Sequence, residues 1–157
     1  MNFFFDANMS RRYARMISEL CEGIHSVIHI TDHPDFIHKN KFSHNGKLIG
    51  NDTDDSEWVE KLGGSGTDWK ILSGDSEILV KAHERAALIK SGLTFFSMDH
   101  NWGNSKGPEQ AWKLVKIWDQ IVKCAEVASP TFYRVQMGRH LCIDVIRGKV
   151  RPKSGKA

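Results

Sequence analysis

The feature that most limits what this chain can fold into is a regular alternation of short apolar runs with longer stretches of helical periodicity. The first run, Asn2-Phe3-Phe4-Phe5-Asp6, is too short for a helix and carries three aromatics in succession, so it reads as a buried strand. Ser10 then stands as the N-cap of a helix that extends to about Gly23, with Tyr13, Met16, Ile17 and Leu20 at helical spacing. Ser26 to Ile30 is a second strand. Asp54-Asp55-Ser56-Glu57 opens a short helix closed by Gly63 and Gly64, and Trp69 to Leu72 is a third strand. A helix is predicted from about Ser76 to Gly92, with Ile78, Leu79, Ala82, Ala86, Leu88 and Ile89 on its apolar side, followed by a fourth strand over Leu93–Met98. After a polar loop, a long amphipathic helix runs to about Ala128, its core face marked by Trp112, Leu114, Val115, Trp118, Ile121, Val122 and Ala125, and Pro130 stops it. Thr131–Val135 and His140–Ile146 form a hairpin around Gly138. The stretch from Thr31 to Thr53 lacks periodicity and reads as a long loop with a short helix near Phe36.

Strands alternating with helices imply an α/β fold: a three-layer α/β/α sandwich with a mainly parallel central sheet, here ending in an antiparallel C-terminal hairpin. The 157 residues fit one domain, assigned to residues 1–147, followed by a basic tail over 148–157. From Arg147 to Lys156 there are five basic residues and no acid, a stretch that tracks phosphates, docks an acidic partner or is simply solvated. No apolar run approaches the roughly 18 residues needed to span a membrane, and the N-terminus lacks the basic region of a signal peptide, so a cytoplasmic location is expected. The three cysteines, Cys21, Cys124 and Cys142, are odd in number and contain no CxxC pair, which argues against a disulfide framework or a thiolate zinc site.

In an open parallel sheet, ligands bind outside the carboxyl ends of the strands. Asp6 and Asn8 follow the first strand, Ser73 and Asp75 the third, Asp99 and His100 the fourth. Asp54, Asp55 and Glu57 begin a helix that leads into a parallel strand, and such a helix starts at that same edge. Several carboxylates held together repel one another. A hard divalent cation, Mg²⁺ or Mn²⁺, relieves that repulsion, polarises a phosphoryl oxygen and lowers the pKa of a bound water. Each acid also has a plainer reading. Asp54 and Glu57 have the spacing of a capping box, Asp55 complements a helix dipole, Asp6 and Asp75 can serve as turn residues, and Asp99 can be merely solvated. Arg11 and Arg12, just past Asp6, either steer a polyanion or form a solvated helix face. His25, His29, His33, His38 and His44 crowd one region without a metal-ligand spacing and read as scattered surface histidines.

The ordered motifs carry a resemblance. Phe4-Phe5-Asp6-Ala7-Asn8-Met9, with an arginine-rich helix start after it, resembles the F-x-D-x-N-L opening of PIN-like toxins. Asp55-Ser56-Glu57-Trp58-Val59 is similar to their D-x-x-W-[IV] helix, and Trp69-Lys70-Ile71-Leu72-Ser73-Gly74-Asp75 to their strand followed by S/T-x-D. Ile78, Glu84-Arg85-Ala86 and Ser91-Gly92-Leu93-Thr94-Phe95-Phe96 continue the pattern of the VapC-type PIN-like subgroup, so that the similarity spans roughly Asn2 to Trp118. The resemblance implies a PIN-like fold and a toxin of a type II toxin–antitoxin system that cleaves RNA with Mg²⁺ or Mn²⁺. Asp6, Asp55 and Asp75 would be the catalytic, metal-binding acids, with Asn8 and Ser73 supporting them and Glu57 and Asp99 as further candidates. Arg11 and Arg12 would contact RNA. The implied partners are an RNA substrate and a cognate antitoxin protein, with no membrane, and a homodimer is the assembly to test. The chain departs from the pattern in its long Thr31–Thr53 segment and in offering only Asp99 for a fourth acid. The alternative is a catalytically weak PIN-like module that binds protein or RNA.

Overall fold

The computed structural model describes residues 1–75 and 77–146; the basic tail lies outside the described residues. Five parallel strands, β1 (Asn2–Phe5), β2 (Ser26–His29), β5 (Trp69–Ser73), β6 (Thr94–Met98) and β7 (Phe132–Gln136), form one sheet with β8 (Cys142–Val145), in the order β2-β1-β5-β6-β7-β8. Only the last pairing, β7 with β8, is antiparallel, so the expected hairpin closes one edge of the sheet. The expected α/β/α class is therefore the observed one.

Strand alternation fills two cores at once, because successive side chains leave a strand on opposite faces. On β1, Phe3 and Phe5 enter a core shared with helices α1 (Arg11–Leu20) and α5 (Gly107–Ala125), while Phe4 enters one shared with α2 (Asp55–Gly63) and α3 (Ala82–Ser91). Leu72 and Phe96 follow the first pair; Ile71 and Phe95 follow Phe4. All three β1 phenylalanines are fully buried, and truncating any of them to Ala should cost about 3–5 kcal/mol through the lost transfer energy and the cavity left behind. The alternation also fixes what comes next. Asp6 and Ser73 continue the Phe4–Ile71 side, so they emerge on the sheet face covered by α2 and α3.

These two helices run side by side in the same direction. A Cβ on Gly63, at the end of α2, would sit 2.9 Å from the Cβ of Ser91 at the end of α3, so the glycine permits close approach there. At their other ends Asp55 opens α2 and Glu84 lies in the first turn of α3, and the two carboxylates repel each other.

Several local expectations are corrected. The Thr31–Thr53 stretch is not an extended loop: after 3₁₀ turns at Ile30–Asp32 and Ile37–Lys39 it forms a separate two-stranded antiparallel sheet, β3 (Asn40–Phe42) with β4 (Leu48–Asn51). Its apolar residues Phe42 and Ile49 face solvent, so no periodic burial marked it. The predicted helix from Ser76 is split into a 3₁₀ turn at Glu77–Leu79 and α3, and on α3 it is Leu88 and Glu84 that are buried, while Ala82, Ala86 and Ile89 are exposed. The predicted loop before α5 holds a short helix, α4 (His100–Asn104). Trp112 and Val115 of α5 point outward; Ile117 takes their place in the core. His29 and His33 are buried rather than superficial. The His29 ring lies between Met9 and Thr31, and the His33 ring packs among Phe4, Phe36 and Trp69.

Candidate active site

Asp6 is the first residue after β1 and is 1% exposed. Its backbone N–H still bonds to the Leu72 carbonyl, which holds it in line with the sheet. One carboxylate oxygen accepts the Asn8 backbone N–H at 3.0 Å, and the other accepts the Ser73 hydroxyl in a short hydrogen bond. Ser73 Oγ in turn accepts the Asp75 N–H at 3.0 Å, so the turns after β1 and β5 are tied through one hydroxyl. The two turns touch: a Cβ on Gly74 would stand 2.6 Å from the Asn8 carbonyl oxygen, closer than any side chain tolerates. Ser73-Gly74-Asp75 thus needs its glycine for backbone contact, as Ser73 is needed for the hydrogen bond.

The supports beneath the site are equally specific. His29 Nδ1 accepts the Thr31 N–H at 3.2 Å, which leaves Nε2–H to donate to the Met9 carbonyl at 2.6 Å. Burial holds its pKa below the ordinary histidine value, so it acts as a neutral strut under the Asp6–Met9 turn. Ser10 caps α1 by accepting the Arg12 N–H. Arg11 is bound to Asp32 through both Nε and Nη2, which ties α1 to the turn after β2; Arg12 is the exposed member of the pair.

Electrostatically, Asp6 is the site's focus. Burial pushes its pKa up to about 7; the bonds from Ser73 and Asn8 oppose that shift, and the neighbouring Asp55 and Asp75 carboxylates reinforce it. The sheet edge therefore brings together the three acids singled out from the sequence. Asp55 accepts a hydrogen bond from the Trp58 indole at 2.8 Å, and Asp75 accepts one from the Glu77 N–H at 2.8 Å, so both are oriented by their own following turns.

A fourth acid was missed. Glu84 is 5% exposed, its Oε2 has no hydrogen-bond partner, and burial followed by the Asp55 charge raises its pKa. The sequence places Glu84 in the Glu84-Arg85-Ala86 element of the resemblance but gives it no role, because the apolar positions of the predicted helix put it on the polar face. Lys81 Nζ stands 3.5 Å from Glu84 Oε1, with His83 Nε2 at 3.8 Å from the same oxygen. The Lys81 pKa is raised by Glu84 first, then by Asp75 and Asp55. A cleft of about 420 Å³ opens here, lined by Asp54, Asp55, Lys81 and Glu84.

The remaining candidates have other partners. Asp54 holds the N-cap position of α2, but its carboxylate accepts from the Ser56 hydroxyl rather than from the helix backbone. Glu57 forms no capping box; it pairs with Lys39 at 2.7 Å and Lys61 at 3.6 Å. Asp99 accepts the Met137 N–H and the Asn101 side-chain amide, which fastens the end of β6 to the turn after β7.

Among the described residues no three His, Cys, Asp or Glu side chains stand close enough together to hold a metal ion directly. The donor chemistry nevertheless suits Mg²⁺ or Mn²⁺. The site offers hard carboxylate oxygens, one with its charged form penalised by burial and one with an unpartnered oxygen. Mg²⁺ keeps several waters and takes only one or two protein carboxylates, so it does not require a three-sided protein cage.

No curated protein and no solved structure matches the chain. A family model described as a PIN-like domain matches residues 1–100, the segment that contains Asp6, Asp55, Asp75 and Glu84. With that match covering most of the length and a parallel sheet bearing buried acids at its carboxyl edge, the chain belongs to the PIN-like domain family.

Proposed function

We propose that this protein is a metal-dependent endoribonuclease, the toxin of a type II toxin–antitoxin pair. The observation that carries the reading is Asp6. A carboxylate with almost no solvent, whose neighbouring charges are other acids, keeps part of its population protonated at neutral pH, and a bound cation would favour its charged form. The PIN-like family and its nuclease-type fold support the same chemistry.

A bound Mg²⁺ or Mn²⁺ would supply Lewis-acid activation of a phosphoryl oxygen and of water. Asp6, Asp55, Asp75 and Glu84 would hold it, directly or through waters. Ser73 and Asn8 keep the Asp6 carboxylate in one orientation, and Gly74 lets their two turns meet. Lys81, half exposed at the cleft rim, is free to turn from Glu84 toward an incoming phosphate. Asp6 without metal holds its proton up to about pH 7, and a bound cation would lower that value, so the acid limit of activity should move to lower pH as the metal concentration rises.

The test is cleavage of single-stranded RNA by the purified protein with Mg²⁺, with Mn²⁺ and with EDTA. Wild type should cleave only with metal, and Asp6→Asn and Asp55→Asn should each lose more than ~100-fold, beyond what supporting residues contribute. Retention of full activity in Asp6→Asn refutes the mechanism; folded protein that binds RNA without cleaving it under any metal leaves the binding-module reading. Expression should arrest growth, and coexpression of an adjacent small DNA-binding protein should relieve it; growth unaffected by active enzyme refutes the toxin assignment alone.

A further inference from the structure

The carboxyl edge carries a second cleft, beside the acids and unused by them. It measures about 550 Å³, within the range of small-ligand sites, and lies between the start of α5, the end of α4 and the turn after β7. β7 is two strands from β5, so at about 4.8 Å per strand the cleft begins roughly 10 Å across the sheet from the Ser73–Asp75 turn.

Its lining is unusual for an idle surface. Trp112 is 51% exposed although it sits on the most apolar helix of the chain, and the Lys116 ammonium stands 5.7 Å from its ring centroid. Arg139 and Asn104 line the same cleft, and neither side chain has a hydrogen bond or ion pair among the described residues. The floor is the buried Lys113, held by the Met137 carbonyl at 2.7 Å and by Glu109 at 2.8 Å. The wall is rigid: Asn101 is fixed by Asp99, and a Cβ on Gly138 would meet the Asn101 amide at 3.0 Å.

An exposed indole, an unpaired guanidinium and an unpaired carboxamide lining one concavity match the face of a base, its phosphate and its polar edge. A base stacks on the indole, its polar edge meets the amide, and its phosphate meets the guanidinium with the Lys116 charge nearby. We infer that this cleft binds one unstacked nucleotide of a single-stranded RNA, a few nucleotides along the strand from the bond cleaved at Asp6. The inference rests on the nuclease reading for its choice of RNA. Duplex RNA would not serve, because its bases are not free to stack on a side chain.

The experiment measures binding of a fluorescently labelled single-stranded oligoribonucleotide in EDTA to wild type, Trp112→Ala, Trp112→Phe and Arg139→Ala. Hydrolysis of bis(p-nitrophenyl) phosphate, which has no flanking nucleotide, is measured with Mn²⁺. Trp112→Ala should bind about ten-fold more weakly or worse, the cost of one lost base stack. Trp112→Phe should recover most of that affinity. Arg139→Ala should bind more weakly with a shallower salt dependence. Hydrolysis of the small ester should be the same in all four. Trp112→Ala binding as wild type does, wild type preferring duplex, or wild type binding no RNA overturns the inference. An ester left intact by wild type, with RNA binding still dependent on Trp112, refutes the nuclease reading and leaves the cleft assignment standing.

Discussion

Two buried charged side chains sit at opposite ends of the same sheet, and they are treated in opposite ways. At the amino end, Lys70 of β5 is 3% exposed, and its ammonium donates to Asp68 and to Ser129, each at 2.8 Å. Ser129 closes the circuit by bonding Asp68 and Thr94. Every polar atom on that path has a partner within the protein. At the carboxyl end, Asp6 is buried as deeply, yet it receives only a hydroxyl and one N–H, and the charges around it are acids. A buried ion that is paired serves the fold; one surrounded by its own sign destabilises the fold and is accounted for by something that binds there.

The comparison can be broken at several points, beginning with the largest effect. Gly74→Ala places a Cβ against the Asn8 carbonyl, so the turns after β1 and β5 must separate. A loss of about 3 kcal/mol is expected, the upper end of overpacking costs, together with loss of activity. Denaturant melts and RNA cleavage check it, and an unperturbed variant would mean that the two turns do not need to touch. At the amino end, Asp68→Asn removes the charge opposite a buried ammonium. Because Asp68 itself is largely exposed, the destabilisation should be limited to about 1–2 kcal/mol, read from the same melts. Glu84→Gln should do the reverse. It neutralises a buried, half-satisfied acid and should raise stability at pH 8 by a few tenths of a kcal/mol up to about 1, while lowering activity with Mg²⁺. Ser73→Ala leaves a buried carboxylate oxygen and the Asp75 N–H without their shared hydroxyl, so it should cost about 1 kcal/mol in stability and about 10–100-fold in activity by releasing the Asp6 carboxylate.

Much of this was legible in the chain, for reasons that also explain what was not. The triple-Phe strand announced itself because all its side chains are buried, on two faces at once. Topology put Asp54, Asp55 and Glu57 together at the carboxyl edge, since a helix feeding a parallel strand must start there, and the resemblance singled out Asp55 among them. The β3–β4 hairpin stayed hidden because Phe42 and Ile49 are exposed and leave no period to read. Glu84 stayed hidden for a sharper reason. Apolar periodicity assigns α3 a face containing Ala82, Ala86 and Ile89, whereas the helix is rotated to put a glutamate inside. Trp112 misled in the same way, since its size argued for the core and its position is the rim of a cleft. Two of these disagreements, Glu84 and Trp112, lie at the carboxyl edge of the sheet, where function rather than stability can select the residue.

The most direct measurement is the stability of wild type and Asp6→Asn across pH, with EDTA and with Mg²⁺. With a native pKa of about 7 against 3.8 for the ordinary side chain, folded wild type holds a proton between those values that the unfolded chain has lost. Its stability therefore falls as pH rises through that window and levels off above it. The asparagine variant lacks this term, and taking the difference between the two proteins cancels the shared contributions of His29 and His33. In EDTA the advantage of Asp6→Asn should widen by up to about 1.4 kcal/mol per pH unit from pH 5 to pH 7 and then stay level. At pH 8, millimolar Mg²⁺ should stabilise wild type and leave the variant unchanged. A difference that does not vary with pH, or equal stabilisation of both proteins by Mg²⁺, would contradict the assignment of Asp6 as the buried acid at the centre of a metal-binding site.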